Sequence, residues 1–346
     1  MKIVFILPGK GRAGGVRCTV ISANMLLERG HDVRILYRRF PTTIRSLTRE
    51  LRNKICYKRS HDWLETFKGR TSSYHDIGQC IFYPDEIIVS VGMWCSAQIS
   101  KLNNIKNKKL QYIHGPTPWT PEVMDQALSS SIPKIAVSSK TAEIINSYNS
   151  SDLLAVIHNG INLDEYYPSV NEQQRDGIGT IYETHPTYAK DPETLLKVLI
   201  QLKKELPNVP HYTFGGAPRP KEISKKEYKR YPSLEEARRR YSSSKVWILG
   251  SRSEGFPGPV LEAMACGCAV VATDCGGTKD MIVDGENGYL VEPGNVDEIV
   301  NKVKILLDNP TLREKMVTNA FKTVCKLNWD NSANKLEDVL KKIAAN

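Results

Sequence analysis

Residues 253–299 read SEGFPGPVLEAMACGCAVVATDCGGTKDMIVDGENGYLVEPGNVDEI. The five residues at 245–249, KVWIL, form an apolar run that predicts a strand, so GSRSEGFPGP is the loop leaving its C-terminal end. Ligands of α/β sheets bind outside that end of the strands. Gly258 and Pro259 suit the first helical positions, where a proline forfeits no hydrogen bond. The helix predicted over 259–265 would turn the N–H groups of Val260 and Leu261 toward an anion such as a diphosphate. Glu254 lies in the loop, and Glu262, eight positions on, is one turn into the helix. Two carboxylates beside an anion site make chemical sense as binders of hydroxyls, since a carboxylate accepts both hydrogen bonds of a vicinal diol.

Outward from this stretch the same alternation repeats. Upstream in this half, strands are predicted at 178–182 and 211–214 with a helix at 192–205. Downstream lie strands at 269–273 and 288–291 and closing helices at 296–307 and 333–343. The first half predicts strands at 2–7, 33–37, 87–91, 110–114, 134–138 and 155–158, with helices at 16–29 and 140–148. Short β-rich runs alternating with helices imply parallel sheets with helices on their faces. The polar, turn-rich segment PSVNEQQRDG at 168–177 marks a boundary between two such domains. The expected organisation is an α/β chain of two Rossmann-like domains, 1–170 and 171–330, with a helix at 331–346 packing back toward the first domain. Residues 219–245 are basic and carry no clear pattern.

PGKGRAGG at 8–15 opens a second question. Gly9, Gly11 and Gly14 fit G-x-G-x-x-G between a strand and a helix, the setting of a dinucleotide clamp. The acidic residue that such a clamp places at the end of its second strand is absent. That strand ends in Arg38 and Arg39, which would instead suit the 2′-phosphate of NADP.

The 346 residues carry a net charge of +10 and no apolar run of membrane-spanning length. Residues 2–7 are too short for a signal-peptide core, so a cytosolic location is expected, and the eight cysteines read as free thiols. Cys266 and Cys268 form a C-x-C with no second pair at metal spacing, which reads as two small buried side chains. Between positions 38 and 70 ten Lys/Arg face three acidic residues. Such a patch suits an anionic surface, and a solvated face is the plain alternative.

The spacing of Glu254 and Glu262, with Glu-Gly-Phe before it and Leu-Glu-Ala-Met-Ala-Cys-Gly after it, closely resembles the donor-binding signature of retaining glycosyltransferases of family 4. Gly276-Gly277 and DGENGYLVEPGN extend the likeness. So, in order, do AGGVRCTVISANMLLERGHDV, YIHGPTP, IHNGINLDEYY, FGGAP and LNWDNSANKLEDVL. The resemblance implies the GT-B fold, two Rossmann-like domains facing across a cleft, and transfer of a hexose or deoxyhexose from a nucleoside-diphosphate sugar to an acceptor hydroxyl. It makes Glu262 the ribose binder, Glu254 the binder of donor-sugar hydroxyls, and Lys190 the group that holds the leaving diphosphate. Gly255, Phe256, Gly258, Val260 and Leu261 would complete the donor site, and His114 would lie near the sugar, unless it is merely satisfied by neighbouring backbone. Gly14 and Gly15 would belong to a loop near the diphosphate, which reassigns the glycine motif from NADP to the acceptor domain.

Two departures from the family pattern stand out. Thr180 occupies the place of a diphosphate-binding Arg, for which Arg219 or Arg252 could compensate. Pro257 removes one N–H from the loop. No metal site and no cofactor are expected, only the nucleotide-sugar donor. The other expected partners are a glycan or lipid-linked glycan acceptor and an anionic membrane surface, without nucleic acid. The place of the protein would then be the cytoplasm, peripherally on the inner face of the membrane. A sugar-nucleotide epimerase or hydrolase of the same fold, an NADP oxidoreductase and a non-catalytic glycan binder are the competing readings.

Overall fold

The computed structural model describes residues 1–40, 62–115, 120–184 and 189–345. The chain divides into two compact units, one made of Met1–Asn159 with Trp329–Asn346, the other of Gly160–Asn328.

The first unit holds a seven-stranded sheet in the order β3-β2-β1-β4-β5-β6-β7. Its strands are β1 (Lys2–Leu7), β2 (Asp32–Arg38), β3 (Arg70–Tyr74), β4 (Glu86–Val91), β5 (Lys109–Ile113), β6 (Lys134–Ala136) and β7 (Leu153–Val156). Every pairing is parallel. Its helices are α1 (Gly14–Glu28), α2 (Met93–Ile99), α3 (Pro121–Leu128) and α4 (Ser139–Asn149). The central strands are covered on both faces, so KIVFIL and EIIVSV carry continuous apolar runs at 3–7 and 87–89 instead of alternating. The edge strand β3, RTSSY, buries only Tyr74, and a period-2 or apolar signal is therefore missing from it.

The second unit holds a six-stranded parallel sheet in the order β10-β9-β8-β11-β12-β13. Its strands are β8 (Gly177–Ile181), β9 (His211–Gly215), β10 (Tyr228–Arg230), β11 (Ser244–Leu249), β12 (Ala269–Thr273) and β13 (Tyr289–Val291). Around it lie α5 (Pro192–Glu205), α6 (Leu234–Ser243), α7 (Gly258–Ala265), α8 (Val296–Asp308) and α9 (Pro310–Lys326). Ile178, Val246, Ile248 and Val271 of the sheet join Leu195, Val198, Val303 and Leu306 of the helices in one core. The basic stretch that gave no pattern forms the edge strand β10 and the polar helix α6.

The polar segment 168–177 lies inside the second unit. Ser169 N–H donates to Ser242 Oγ at 3.0 Å. The buried Arg175 donates to the carbonyls of Cys266 at 2.6 Å and Gly267 at 2.9 Å, capping the end of α7. The last helix, α10 (Trp329–Ala345), belongs to the first unit. Its Glu337 pairs with Arg29 at 2.9 Å, and its Ser332 donates to His158 O at 2.7 Å.

Candidate active site

The ends of β8, β9, β11 and β12 share one edge of the second sheet, because all run parallel. The loop from β11 to α7 carries Glu254. Its N–H donates to Cys275 O at 2.8 Å and its carbonyl accepts from Gly277 N at 3.2 Å. A Cβ at Gly277 would fall 2.0 Å from Gly255 O, so only glycine lets this turn close on the Glu254 loop.

Glu254 Oε1 accepts from Ser251 Oγ at 2.8 Å and from Lys190 Nζ at 2.6 Å. Its second oxygen takes no hydrogen bond among the described residues. Lys190 reaches it from the loop after β8, which is stapled to the β11 loop. Ala189 O accepts from Arg252 N at 2.8 Å and Ser253 N at 3.2 Å. The next residue, Asp191, has a left-handed backbone (φ 39) and caps α5 through Thr194 N–H at 3.2 Å. Its other oxygen meets Arg252 Nε at 2.6 Å. A non-glycine residue in this region costs on the order of 1 kcal/mol, offset here by the cap and the ion pair. The two ion pairs, Lys190–Glu254 and Asp191–Arg252, thus join the same two loops.

Glu262 on α7 is buried and accepts from Tyr241 Oη at 2.8 Å. The Tyr241 ring packs 4.1 Å from Trp247 and 5.3 Å from Phe214, centroid to centroid. Burial, and then the neighbouring Glu262, push the phenol well above its ordinary pKa, so it acts as a fixed donor.

Other expectations meet a different geometry. Val260 N–H does not point outward unpaired. It donates to Pro257 O at 3.1 Å, because the prolines tighten the first turn. The side chains of Phe256, Val260 and Leu261 are buried in packing. Arg252 is engaged by Asp191, and Arg219 donates to the carbonyls of Pro220 and Ile223 in its own loop. Thr180 is buried and donates to Ile248 O at 2.9 Å within the sheet. Cys266 and Cys268 are buried, and among the described residues no group of His, Cys, Asp and Glu could hold a metal ion.

Three of the predicted residues fall in the first unit. Gly14 and Gly15 open α1, and a Cβ on either meets nothing within 4 Å. Within that loop it is Gly11, at φ 119, that requires glycine. His114 follows β5, with its ring 4.2 Å from that of Tyr112. Burial lowers its pKa to about 4, which keeps the imidazole neutral at pH 7. Its Nε2 is buried without a hydrogen-bond partner among the described residues.

The sequence missed Tyr241, Ser251 and the Asp191–Arg252 pair. Ser251 stands three positions from Glu254 in the same loop, a spacing that could have been weighed. Tyr241 lies 21 positions from Glu262, in a segment without an apolar pattern, and carries no local signal.

Residues 180–323 match the family model described as "Glycosyl transferases group 1". The chain is similar to an uncharacterized glycosyltransferase of Haemophilus influenzae, with 42% identity over 77 residues that span 22% of either chain. It is also similar to a D-inositol 3-phosphate glycosyltransferase of Streptomyces bingchenggensis, 21% identical over 319 residues, 81% of this chain and 69% of that one. The first of these matches therefore covers about a fifth of the curated relative's length. The solved structure of Anabaena Alr3699/HepE in complex with UDP and glucose superposes with a TM-score of 0.77 at 15% identity, over 99% of both chains. Residues 180–323 are accordingly a glycosyl transferases group 1 domain, and the two parallel-sheet units have the GT-B fold of solved glycosyltransferases.

Proposed function

We propose that the chain is a retaining glycosyltransferase of family 4, moving a hexose or deoxyhexose from a nucleoside-diphosphate sugar to an acceptor hydroxyl. The observation that carries this reading is the Lys190–Glu254 pair at 2.6 Å, with Glu254 in the loop that leads into α7, the helix that carries the buried Glu262, at the C-terminal edge of the second sheet. A donor's diphosphate offers Lys190 a stronger partner than one carboxylate oxygen. Lys190 then turns to the phosphate, and Glu254, still held by Ser251, is released to accept hydroxyls of the sugar. Glu262, oriented by Tyr241, accepts the ribose diol. As the sugar becomes oxocarbenium-like, the charge on the departing diphosphate grows, and Lys190 stabilises it. The UDP and glucose held by the Anabaena relative favour a UDP-sugar donor.

In this reading the first unit takes the acceptor, a cell-surface polysaccharide or lipid-linked glycan, and the chemistry needs no metal. The protein works in the cytoplasm against the inner face of the membrane. Among the described residues no helix is long and apolar enough to cross a membrane.

A thermal-shift panel of UDP-, GDP- and dTDP-sugars tests the donor. A ligand at 100 times its dissociation constant should stabilise the chain by about 2.7 kcal/mol. Product analysis with and without acceptor then reads the reaction. Transfer to a hydroxyl with the anomeric configuration kept supports the reading. Absence of any nucleotide-sugar binding, or release of free sugar alone with every acceptor offered, overturns it.

A further inference from the structure

In the first sheet β1 lies between β2 and β4, so the strand order reverses there. Ligands of such sheets bind outside the C-terminal strand ends at that reversal. Arg38 is the last residue of β2, and Trp94 follows β4 in the first turn of α2. The Arg38 guanidinium carbon stands 4.2 Å from the centre of the Trp94 ring and 5.0 Å from that of Phe40. Phe40 is 59% exposed and closes against the glycine loop after β1, where a Cβ on Gly9 would lie 3.3 Å from its Cε2.

Among the described residues the Arg38 guanidinium lacks an oxygen partner. On the same strand Arg34 donates twice to Glu86, at 2.5 and 2.7 Å, and once to Ile81 O at 2.8 Å. Arg29 and Arg70 have Glu337 and Asp32. Among the described residues no carboxylate or carbonyl accepts from the Arg38 guanidinium. Its electrostatic neighbours are Tyr74 and Cys95, which burial keeps protonated and uncharged, the Cys95 thiol being pushed up to about 12. The guanidinium lies over the two rings, and its N–H groups are left without an acceptor among the described residues. Such groups match the two oxygens of a phosphate or carboxylate. The exposed Phe40 ring beside it offers an apolar face to a sugar.

We infer that Arg38, Trp94 and Phe40 form an acceptor subsite for an anionic sugar, with Arg38 gripping its phosphate or carboxylate and Phe40 stacking on the ring. This rests on the transferase reading, in which the first unit takes the acceptor, and it adds that the acceptor carries an oxyanion. Phosphate and carboxylate share this chemistry, and the test separates them.

The full chain is titrated calorimetrically with glucose 1-phosphate, glucuronate and glucose at low salt. Saturating UDP (GDP or dTDP if UDP does not bind) blocks the donor site. One of the two anions should bind about 10-fold or more tightly than glucose, the worth of charge-assisted hydrogen bonds. The preference should vanish in Arg38→Gln and be partly kept in Arg38→Lys, which retains the charge but not the fork. Phe40→Ser should weaken the binding of the preferred anion without removing its advantage over glucose. Nucleotide affinity, measured on every variant, should stay at the wild-type value and reports that each is folded. Equal binding of all three sugars, no binding of either anion, or a preference that survives in Arg38→Gln overturns the subsite. Failure of the wild-type chain to bind UDP, GDP or dTDP overturns the transferase reading instead.

Discussion

The hydroxyl of Tyr241 donates to Glu262 Oε2 at 2.8 Å, across 21 positions of sequence and from a different helix. The phenol is buried among Trp247, Phe214 and Tyr166, and its rotamer is therefore set by packing. Tyr241→Phe keeps that packing and removes only the donor. Nucleotide affinity should fall roughly ten-fold, because Glu262 loses a charged hydrogen bond that orients it. Calorimetry with the free nucleoside diphosphate checks this, and an unchanged affinity would show that Tyr241 serves the core alone.

Glu262→Ala should weaken nucleotide binding more than it alters the chemical step. Loss of charge-assisted bonds to a diol is worth about 1.5–3 kcal/mol, or about 10–100-fold in affinity. Normal affinity in the same titration would remove Glu262 from the site.

Lys190→Ala should lower turnover by about 10²–10³, as expected for a charge aimed at a leaving group. The melting temperature should move little, since the Lys190 side chain is 36% exposed. Normal turnover in single-turnover kinetics would mean that the diphosphate is held from elsewhere.

His114 predicts a pH dependence. Its pKa is lowered to about 4 by burial, against 6.5 for the free side chain. Below pH 6.5 the unfolded chain takes up a proton that the native imidazole refuses, so stability falls as pH drops from about 6.5 toward 4. Above pH 6.5 both states are neutral and this cost vanishes. His114→Gln should flatten the melting-temperature profile across that window. A profile parallel to wild type would assign the acid sensitivity to carboxylates and to His211, whose pKa burial also lowers.

The charge between positions 38 and 70 predicts attachment to anionic membranes. Arg45, Arg49 and Arg52, the residues chosen for reversal, lie outside the described residues. Each Lys or Arg near such a surface is worth about 1 kcal/mol and is weakened by salt. Co-sedimentation should occur with anionic vesicles at low salt, decline at high salt and be absent with neutral vesicles. The triple charge reversal should abolish it and leave nucleotide binding intact. Equal pelleting with neutral vesicles, or none with either, favours a solvated basic face.

By itself the sequence determined what is local and repeated. Apolar runs mark the inner strands, because a strand covered on both faces has few polar positions. Gly276-Gly277 and the glycine loop mark tight turns, and the glutamates eight apart mark a loop and the helix that follows it. Polar edges escaped this logic: β3 and β10 pair on one side only, so little in RTSSY or YKR distinguishes them from loops. Tertiary structure alone decided which groups meet. Lys190 reaches Glu254 across 64 positions because β8 and β11 are neighbours in the sheet and their loops leave the same edge. Tertiary packing likewise decided that Arg252 is held by Asp191 and that Arg38, with no oxygen partner among the described residues, lies over Trp94. Spacing along the chain fixes what one element can present, but distances between elements follow from strand order, which no local pattern encodes.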